Sequence, residues 1–347
     1  MTQTRKAVAL ISGGLDSLLA ARTILEQGVH VEGINFYTGF CVEGHTHAIR
    51  KRDKQKQKRN NALWSAEQLG IKLHIIDIVE EYKNVLTSPK HGYGANLNPC
   101  LDCKIFMVNK AQQWMEDNGF DFIITGEVIG QRPMSQRKET MPVVAAESGA
   151  NDRLLRPLCA HNLPATLPER EGWVDREQLH DFSGRSRKPQ MALAKAFDIE
   201  DYAQPAGGCC FLTDASYSAK LSDMWRHQGN RDYELDDIML LKVGRHIRPN
   251  ERFKLVVGRE EGENNFLRGY KRLFTHLVVK DYAGPLVLLD GRPNSDDLEL
   301  AARITGRFSQ GKAADTVDVS LTPLEGTEQT LSVKPMEPAE IPEAWYI

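Results

Sequence analysis

The sequence predicts an α/β protein built on a doubly wound parallel sheet, followed by a separate α+β domain. Three features predict it. Short apolar runs alternate with helix-length amphipathic stretches up to about residue 125, which is the pattern of βαβ units. A loop of paired glycines and serines joins the first apolar run to the first helix. Beyond about residue 236 the pattern changes to strand-like runs separated by turn residues.

The elements follow in order. Residues 7–11 form an apolar run, and residues 17–27 read as a helix that stops at Gly28. Residues 31–36 are β-branched and aromatic at their core, 60–70 are helical, and 73–78 are apolar again. Residues 104–118 form an amphipathic helix closed by Gly119, and 120–125 are a further buried strand. From about 127 to 201, prolines at 133, 142, 157, 164, 168 and 189 break the pattern, with one helix expected over 189–197. Residues 236–243, 253–257, 276–279 and 286–289 read as strands, with a helix beginning at 263. The expected division is 1–214 for the first domain, 215–235 for a linker and 236–347 for the second.

The bulk properties narrow the function. A chain of 347 residues can bury two cores, and 41% hydrophobic with 26% charged residues is ordinary for a soluble globular protein. No apolar run approaches the roughly 20 residues that span a bilayer. The glycine loop begins at residue 12, which leaves no room for a signal peptide before it, so the expectation is a cytoplasmic protein with no membrane partner. The net charge of −3 does not mark a nucleic-acid binder, yet residues 50–59 form a dense basic run. Such a run either tracks phosphates or is a solvated loop. Six cysteines in a reducing compartment point to metal binding or catalysis before disulfides. Cys100 and Cys103 form a C-x-x-C, Cys209 and Cys210 are adjacent, and Cys41 and Cys159 stand alone.

The loop Ser12, Gly13, Gly14, Leu15, Asp16, Ser17 carries the strongest signal. Two glycines let the backbone approach an anion, while successive N–H groups and a helix N-terminus favour negative charge. Ser12 and Ser17 add hydroxyls, and Asp16 caps the turn or helps hold Mg²⁺. The loop has neither the lysine of a Walker A loop nor the G-x-G-x-x-G spacing of dinucleotide folds. It resembles, without mismatch, the S-G-G-x-D-S signature of the PP-loop ATP pyrophosphatases, which have an adenine nucleotide alpha hydrolase-like fold. That resemblance implies that ATP is cleaved to AMP and pyrophosphate. A carbonyl oxygen is adenylated, and a nitrogen or sulfur nucleophile then displaces AMP. It also implies that Gly126 joins the loop residues at the ATP site.

The cysteines favour sulfur. The run from Asn98 through Cys100 and Cys103 to Lys104 resembles the N-P-x-x-x-C-N stretch of the 2-thiouridine synthases, in which a cysteine lies just before a helix. A helix N-terminus suits a reactive thiol because it stabilises a thiolate. Residues 125–136 resemble the T-G-x-S-L-G-Q block of the 4-thiouridine synthases, and Leu155, Arg156, Pro157 and Leu158 have a counterpart there. Cys209 and Cys210 fall where tRNA thiolases keep their second cysteine. The resemblance covers roughly residues 5–215 and implies that Cys100, Cys103, Cys209 and Cys210 are catalytic. The 2-thiouridine synthases commonly carry Asp where Cys100 stands. The complete C-x-x-C with a third cysteine resembles the iron–sulfur-dependent thiolases, which implies Cys100, Cys103 and Cys209 as ligands of a [4Fe–4S] cluster. The metal-free rival is a cysteine persulfide resolved by disulfide formation. Zinc on all four cysteines is awkward, because the side chains of adjacent residues diverge. Lys104 and Arg132 are candidate charge-stabilising groups.

The second domain carries a weaker signal. Val256, Val257, Gly258, Arg259, Asn264 and Leu267 resemble the V-G-R-x-x-x-x-N-x-x-L core of the NFACT RNA-binding domain. The resemblance implies phosphate contacts by Arg245, Arg259, Lys271 and Arg272, with Arg248 and Arg268 nearby. The whole reading is an ATP-dependent tRNA sulfurtransferase that adenylates a uridine carbonyl and receives sulfur from a donor protein or sulfide. The alternatives are a PP-loop amide or nitrile synthetase acting on a small carboxylate, and a non-catalytic RNA-binding factor.

Overall fold

The computed structural model describes residues 4–41, 59–203 and 210–347. The described chain divides into two compact units, 4–41 with 59–203 and Cys210, and 211–347. The basic run at 50–58 and Cys209 lie outside the described residues.

In the first unit, β1 (Lys6–Leu10), β2 (His30–Tyr37), β3 (Leu73–Asp77), β4 (Phe122–Ile124) and β5 (Leu154–Leu155) form a parallel sheet in the order β3-β2-β1-β4-β5. Among the described residues the longer helices are α1 (Leu15–Leu25), α2 (Asn61–Leu69), α3 (Val79–Thr87), α4 (Cys100–Asp117), α5 (Thr140–Glu147) and α6 (Lys188–Ala196). Side chains alternate across β1, as the period of a strand requires. Ala7 and Ala9 pack with Leu18, Leu19 and Ile24 of α1, while Val8 packs on the opposite face with Val108, Ala111 and Met115 of α4. Both faces are therefore covered, which explains the near-continuous apolar strands and makes the sheet doubly wound. The chain grows to one side through β2 and β3, then restarts beside β1 at β4. That switch point is where open α/β sheets leave a crevice at the strands' C-terminal ends.

α4 begins earlier than expected. The C-x-x-C does not precede the helix. Cys100 is its first residue, with Pro99 as the N-cap, and the Cys103 N–H already bonds Pro99 O at 2.8 Å. Pro99 has no N–H to satisfy at a helix start, where donors are in surplus.

The second unit holds a six-stranded antiparallel sheet in the order β11-β10-β8-β9-β7-β6. Its strands are β6 (Arg245–Asn250), β7 (Phe253–Val257), β8 (Thr275–Val279), β9 (Val287–Gly291), β10 (Val317–Thr322) and β11 (Gln329–Val333). Its helices are α7 (Ala215–Gln228), α8 (Leu235–Leu240), α9 (Glu261–Arg268) and α10 (Ser295–Arg307). One sheet face packs against Ala301, Ala302 and Ile304 of α10, and the other packs with Leu240 and Leu267. The segment expected as a strand over 236–243 is helical at α8. Glu234 and Asp237 form a reciprocal capping box there, and Asp236 and Asp237 occupy the first turn. The segment expected as a linker contains α7, a 14-residue helix capped by the Asp214 side chain on Tyr217 N and ended by left-handed Gly229.

Candidate nucleotide and sulfur site

The loop after β1 is held open by its own side chains. Gly13 adopts φ +79°, and a Cβ there would meet Ala62 N and Asn61 at 2.7 Å, so the start of α2 presses directly on the loop. Ser12 N donates to Ser17 Oγ at 3.3 Å, and Ser17 Oγ donates to Gly14 O at 2.9 Å. Gly14 is the N-cap of α1 and offers no capping side chain. The first N–H groups of the helix have no intrahelical acceptor. Bare donors at the positive end of a helix dipole make an anion cradle.

Asp16 lies in the first turn of α1 and is partly buried. Gln131 Nε2 donates to its Oδ2 at 2.5 Å, and Arg187 Nη2 lies 3.6 Å from the same oxygen. Burial pushes its carboxyl above the ordinary value, against the pull of Arg187, Gln131 and Arg132. Its Oδ1 is buried without a hydrogen-bond partner. An orphaned carboxylate oxygen beside an anion cradle fits a cation carried by a polyphosphate.

The stretch from Thr125 to Gln136 ties the loop to the C-x-x-C helix. A Cβ on Gly126 would lie 2.5 Å from Asp16 C, Asp16 O and Ser17 N, so this backbone lies against the loop. Glu127 is 2% exposed, and its Oε2 accepts from Thr125 Oγ1 at 2.9 Å and from Arg156 Nε at 3.1 Å. Lys104 of α4 reaches the same oxygen at 3.7 Å. Burial alone would raise the Glu127 carboxyl, but Lys104, Arg156 and Thr125 hold it below its ordinary value. Farther along, Ser135 Oγ receives a 3.4 Å contact from Cys100 Sγ. The block matched as sequence is thus the physical bridge between nucleotide loop and thiols.

The cysteines differ sharply in surroundings. Cys100 and Cys103 are partly exposed in the first turn of α4. Asp102 between them is structural, since it accepts from Lys90 N at 2.9 Å and His91 N at 3.1 Å. Cys210 pairs with Cys41 in an antiparallel bridge, and Ala203 pairs with Gly14 of the loop in a parallel one. Cys159 is fully buried, and burial pushes its thiol up to about 11. With iodoacetamide at pH 8, Cys159 should stay unmodified while Cys41 and Cys100 are labelled, because only about one Cys159 in a thousand is then thiolate. Peptide mass mapping checks this, and equal labelling would mean that Cys159 is reachable after all.

Among the described residues no three His, Cys, Asp or Glu side chains are grouped to hold a metal ion. Cys209, the third ligand implied for a cluster, lies outside them. No helix of the described residues is long and apolar enough to cross a membrane. Sequence reasoning overlooked Arg187, the partnership of Gln131 with Asp16, and Gln190, whose Nε2 donates to Gln131 Oε1 at 2.9 Å. It also left Cys41 unassigned, although Cys41 follows a predicted strand at the end where such sheets bind ligands.

In the second unit, Arg245 is exposed on β6, with its guanidinium 5.2 Å from the Phe308 ring centroid. Arg272 is exposed and Lys271 partly so. Arg259 is differently placed. It forms a bidentate pair with buried Glu263, whose Oε2 also takes the Arg259 N–H at 2.8 Å. The rest of the V-G-R-x-x-x-x-N block is structural too. Asn264 Oδ1 accepts from Leu286 N at 2.8 Å and lies where a Cβ on residue 258 would sit. Arg248 pairs with Asp223 at 2.7 and 2.8 Å.

Residues 2–163 match the family described as thiamine biosynthesis protein (ThiI), and residues 244–346 match the NFACT protein RNA binding domain. The tRNA-specific 2-thiouridylase MnmA of Mesoplasma florum is 27% identical, over 80% of this chain and 72% of that protein. A protein named probable tRNA sulfurtransferase from Thermococcus kodakarensis is 29% identical, over 41% of this chain and 34% of its own length. Among solved structures, a 4-thiouridine synthetase–RNA complex with bound ATP aligns with a TM-score of 0.34 and 19% identity, covering 56% of this chain and 52% of that one.

Proposed function

We propose that this chain, which joins a ThiI-type PP-loop domain to an NFACT-type RNA-binding domain, is an ATP-dependent tRNA sulfurtransferase. The observation that carries the reading is the 125–136 segment, which touches Asp16 and Ser17 at one end and Cys100 at the other. A nucleotide loop coupled this closely to paired thiols suits activation by ATP followed by attack of sulfur. An amide or nitrile synthetase would use the loop and leave the thiols idle.

In this reading Ser12, Ser17 and the backbone from Gly13 to Ser17 hold the pyrophosphate portion of ATP, and Gly126 keeps the loop in register. Asp16 would hold Mg²⁺, which when bound offsets phosphate charge. A uridine carbonyl oxygen attacks the α-phosphorus, and pyrophosphate leaves with the electrons of the broken P–O bond. Sulfur presented by Cys100, Cys103, Cys209 or Cys210 then attacks the adenylated carbon, and AMP departs. Thiols at this site need a reducing compartment, which fits a cytoplasmic enzyme. A [4Fe–4S] cluster on Cys100, Cys103 and Cys209 is the alternative sulfur carrier, favoured by the C-x-x-C in one helical turn. Iron and acid-labile sulfide after anaerobic purification decide between the two carriers.

The test is mass analysis of tRNA nucleosides after incubation with the protein, ATP, Mg²⁺ and a sulfide source. Thiouridine that requires ATP supports the reading. AMP release driven by a small acid and ammonia, without tRNA, would transfer the chain to the synthetase class. A chain that binds tRNA without releasing AMP would be an RNA-binding factor.

Arg245, Lys271 and Arg272 are the phosphate contacts proposed for the second unit, with Arg259 contributing less because Glu263 already matches its charge. Arg245→Ala should weaken tRNA binding whatever the tRNA sequence and lower the slope of log K against log salt by about 1. An unchanged slope across a salt titration would remove Arg245 from the interface.

A further inference from the structure

Cys41 lies four residues beyond β2, on the same sheet edge as the nucleotide loop. It opposes Cys210 in an antiparallel bridge. Residues opposed in this way have Cα atoms about 4.5–5.5 Å apart. A disulfide spans Cα separations of about 4.4–6.8 Å. Both side chains are partly exposed, so small sulfur species and reductants can reach them. Thr38 Oγ1 sits 3.4 Å from Cys41 Sγ and fixes the thiol's direction. Cys159 is sealed in the core, and Cys100 faces Ser135. Cys41 is the described cysteine that backbone pairing places opposite Cys210.

The geometry points to Cys41 as the resolving thiol for a persulfide on Cys210, an inference that rests on the sulfur-transfer reading above. Cys210 first accepts a sulfane sulfur from a persulfide or polysulfide donor, giving Cys210–Sγ–SH. The Cys41 thiolate attacks Cys210 Sγ, and a Cys41–Cys210 disulfide forms. The bond from Sγ to the outer sulfur breaks, and hydrosulfide leaves with its electron pair. One thiolate and one persulfide become one disulfide and one hydrosulfide, so the sulfane sulfur is reduced as the two cysteines are oxidised. A dithiol reductant then returns both residues to thiols.

The experiment uses the reduced full-length protein with sodium polysulfide as the sulfane-sulfur probe. Alkylation, digestion without reductant and peptide mass mapping follow, with released sulfide measured in parallel. The expected result is a Cys41–Cys210 linked peptide with sulfide in solution. In Cys41→Ser, sulfide release should fall about tenfold or more, and Cys210 should persist as the alkylated persulfide. An unchanged melting temperature would establish that this variant is folded. A link from Cys210 to Cys100 or Cys103, a link through Cys209, or wild-type sulfide release by Cys41→Ser each overturns the assignment. tRNA thiolation measured on the same preparations separates the two ideas. Disulfide closure without thiouridine keeps the pair and removes the tRNA reading, whereas wild-type thiolation by Cys41→Ser does the reverse.

Discussion

Gly126→Ala is expected to slow pyrophosphate release about 100-fold, because displacement by about 1 Å at a catalytic loop costs that much. The added methyl would sit 2.5 Å from Asp16 C, Asp16 O and Ser17 N. All three are backbone atoms of the first helical turn, so no rotamer change relieves the clash. Either β4 or the loop must shift. A shift of the loop moves the N–H groups proposed to cradle phosphate and breaks the 2.5 Å contact from Gln131 to Asp16. Overpacking of this kind also costs stability, on the order of 1–3 kcal/mol. Rates should therefore be compared well below the variant's melting temperature. A folded Gly126→Ala protein with the wild-type rate would mean that this contact does not set the loop.

The second large effect is on stability. Glu127→Gln should destabilise the first unit by about 3–5 kcal/mol, since it leaves the buried Arg156 and the partly buried Lys104 without their counter-charge. Arg156 is 6% exposed and Glu127 2%. Arg156 keeps its bond to Met141 O at 3.1 Å, but a neutral amide replaces its carboxylate partner. Lys104, on the turn of α4 that carries the C-x-x-C, loses the same partner. The expected drop in midpoint is roughly 10 °C for a unit of this size. The pH dependence gives a second check. Glu127 is held below its ordinary value in the fold, so its contribution is present above the unfolded-state value near 4.3 and is lost as pH falls through the folded one. The variant lacks that acid-dependent component. Equal acid profiles for the two proteins would show that the network contributes nothing through charge.

Much of the fold was legible along the chain because its signals are local. The strand at Lys6–Leu10, the helix at Leu15–Leu25 and the closing of α2 by left-handed Gly70 each rest on neighbouring residues. The errors have local causes as well. The helix at Leu235–Leu240 was read as a strand because its apolar residues form too short a run to reveal a period. The start of α4 was placed after Cys103, although Pro99 marks it. β6, β10, β11 and α10 were not anticipated. β6 reads as polar and basic, and its Pro249 is tolerated because β6 is a sheet edge.

The sequence by itself determined the nucleotide loop. Two glycines and two serines at the junction of a strand and a helix mark it through backbone freedom and hydroxyl placement, a signal contained in six consecutive residues. Only the tertiary structure decided what surrounds that loop. Gln131, Arg187 and Gly126 converge on Asp16 and Ser17 from positions more than 100 residues away along the chain. The pairing of Cys41 with Cys210 arises in the same way. Such convergence depends on strand order and on which residues emerge at one edge of the sheet, and no local pattern encodes that.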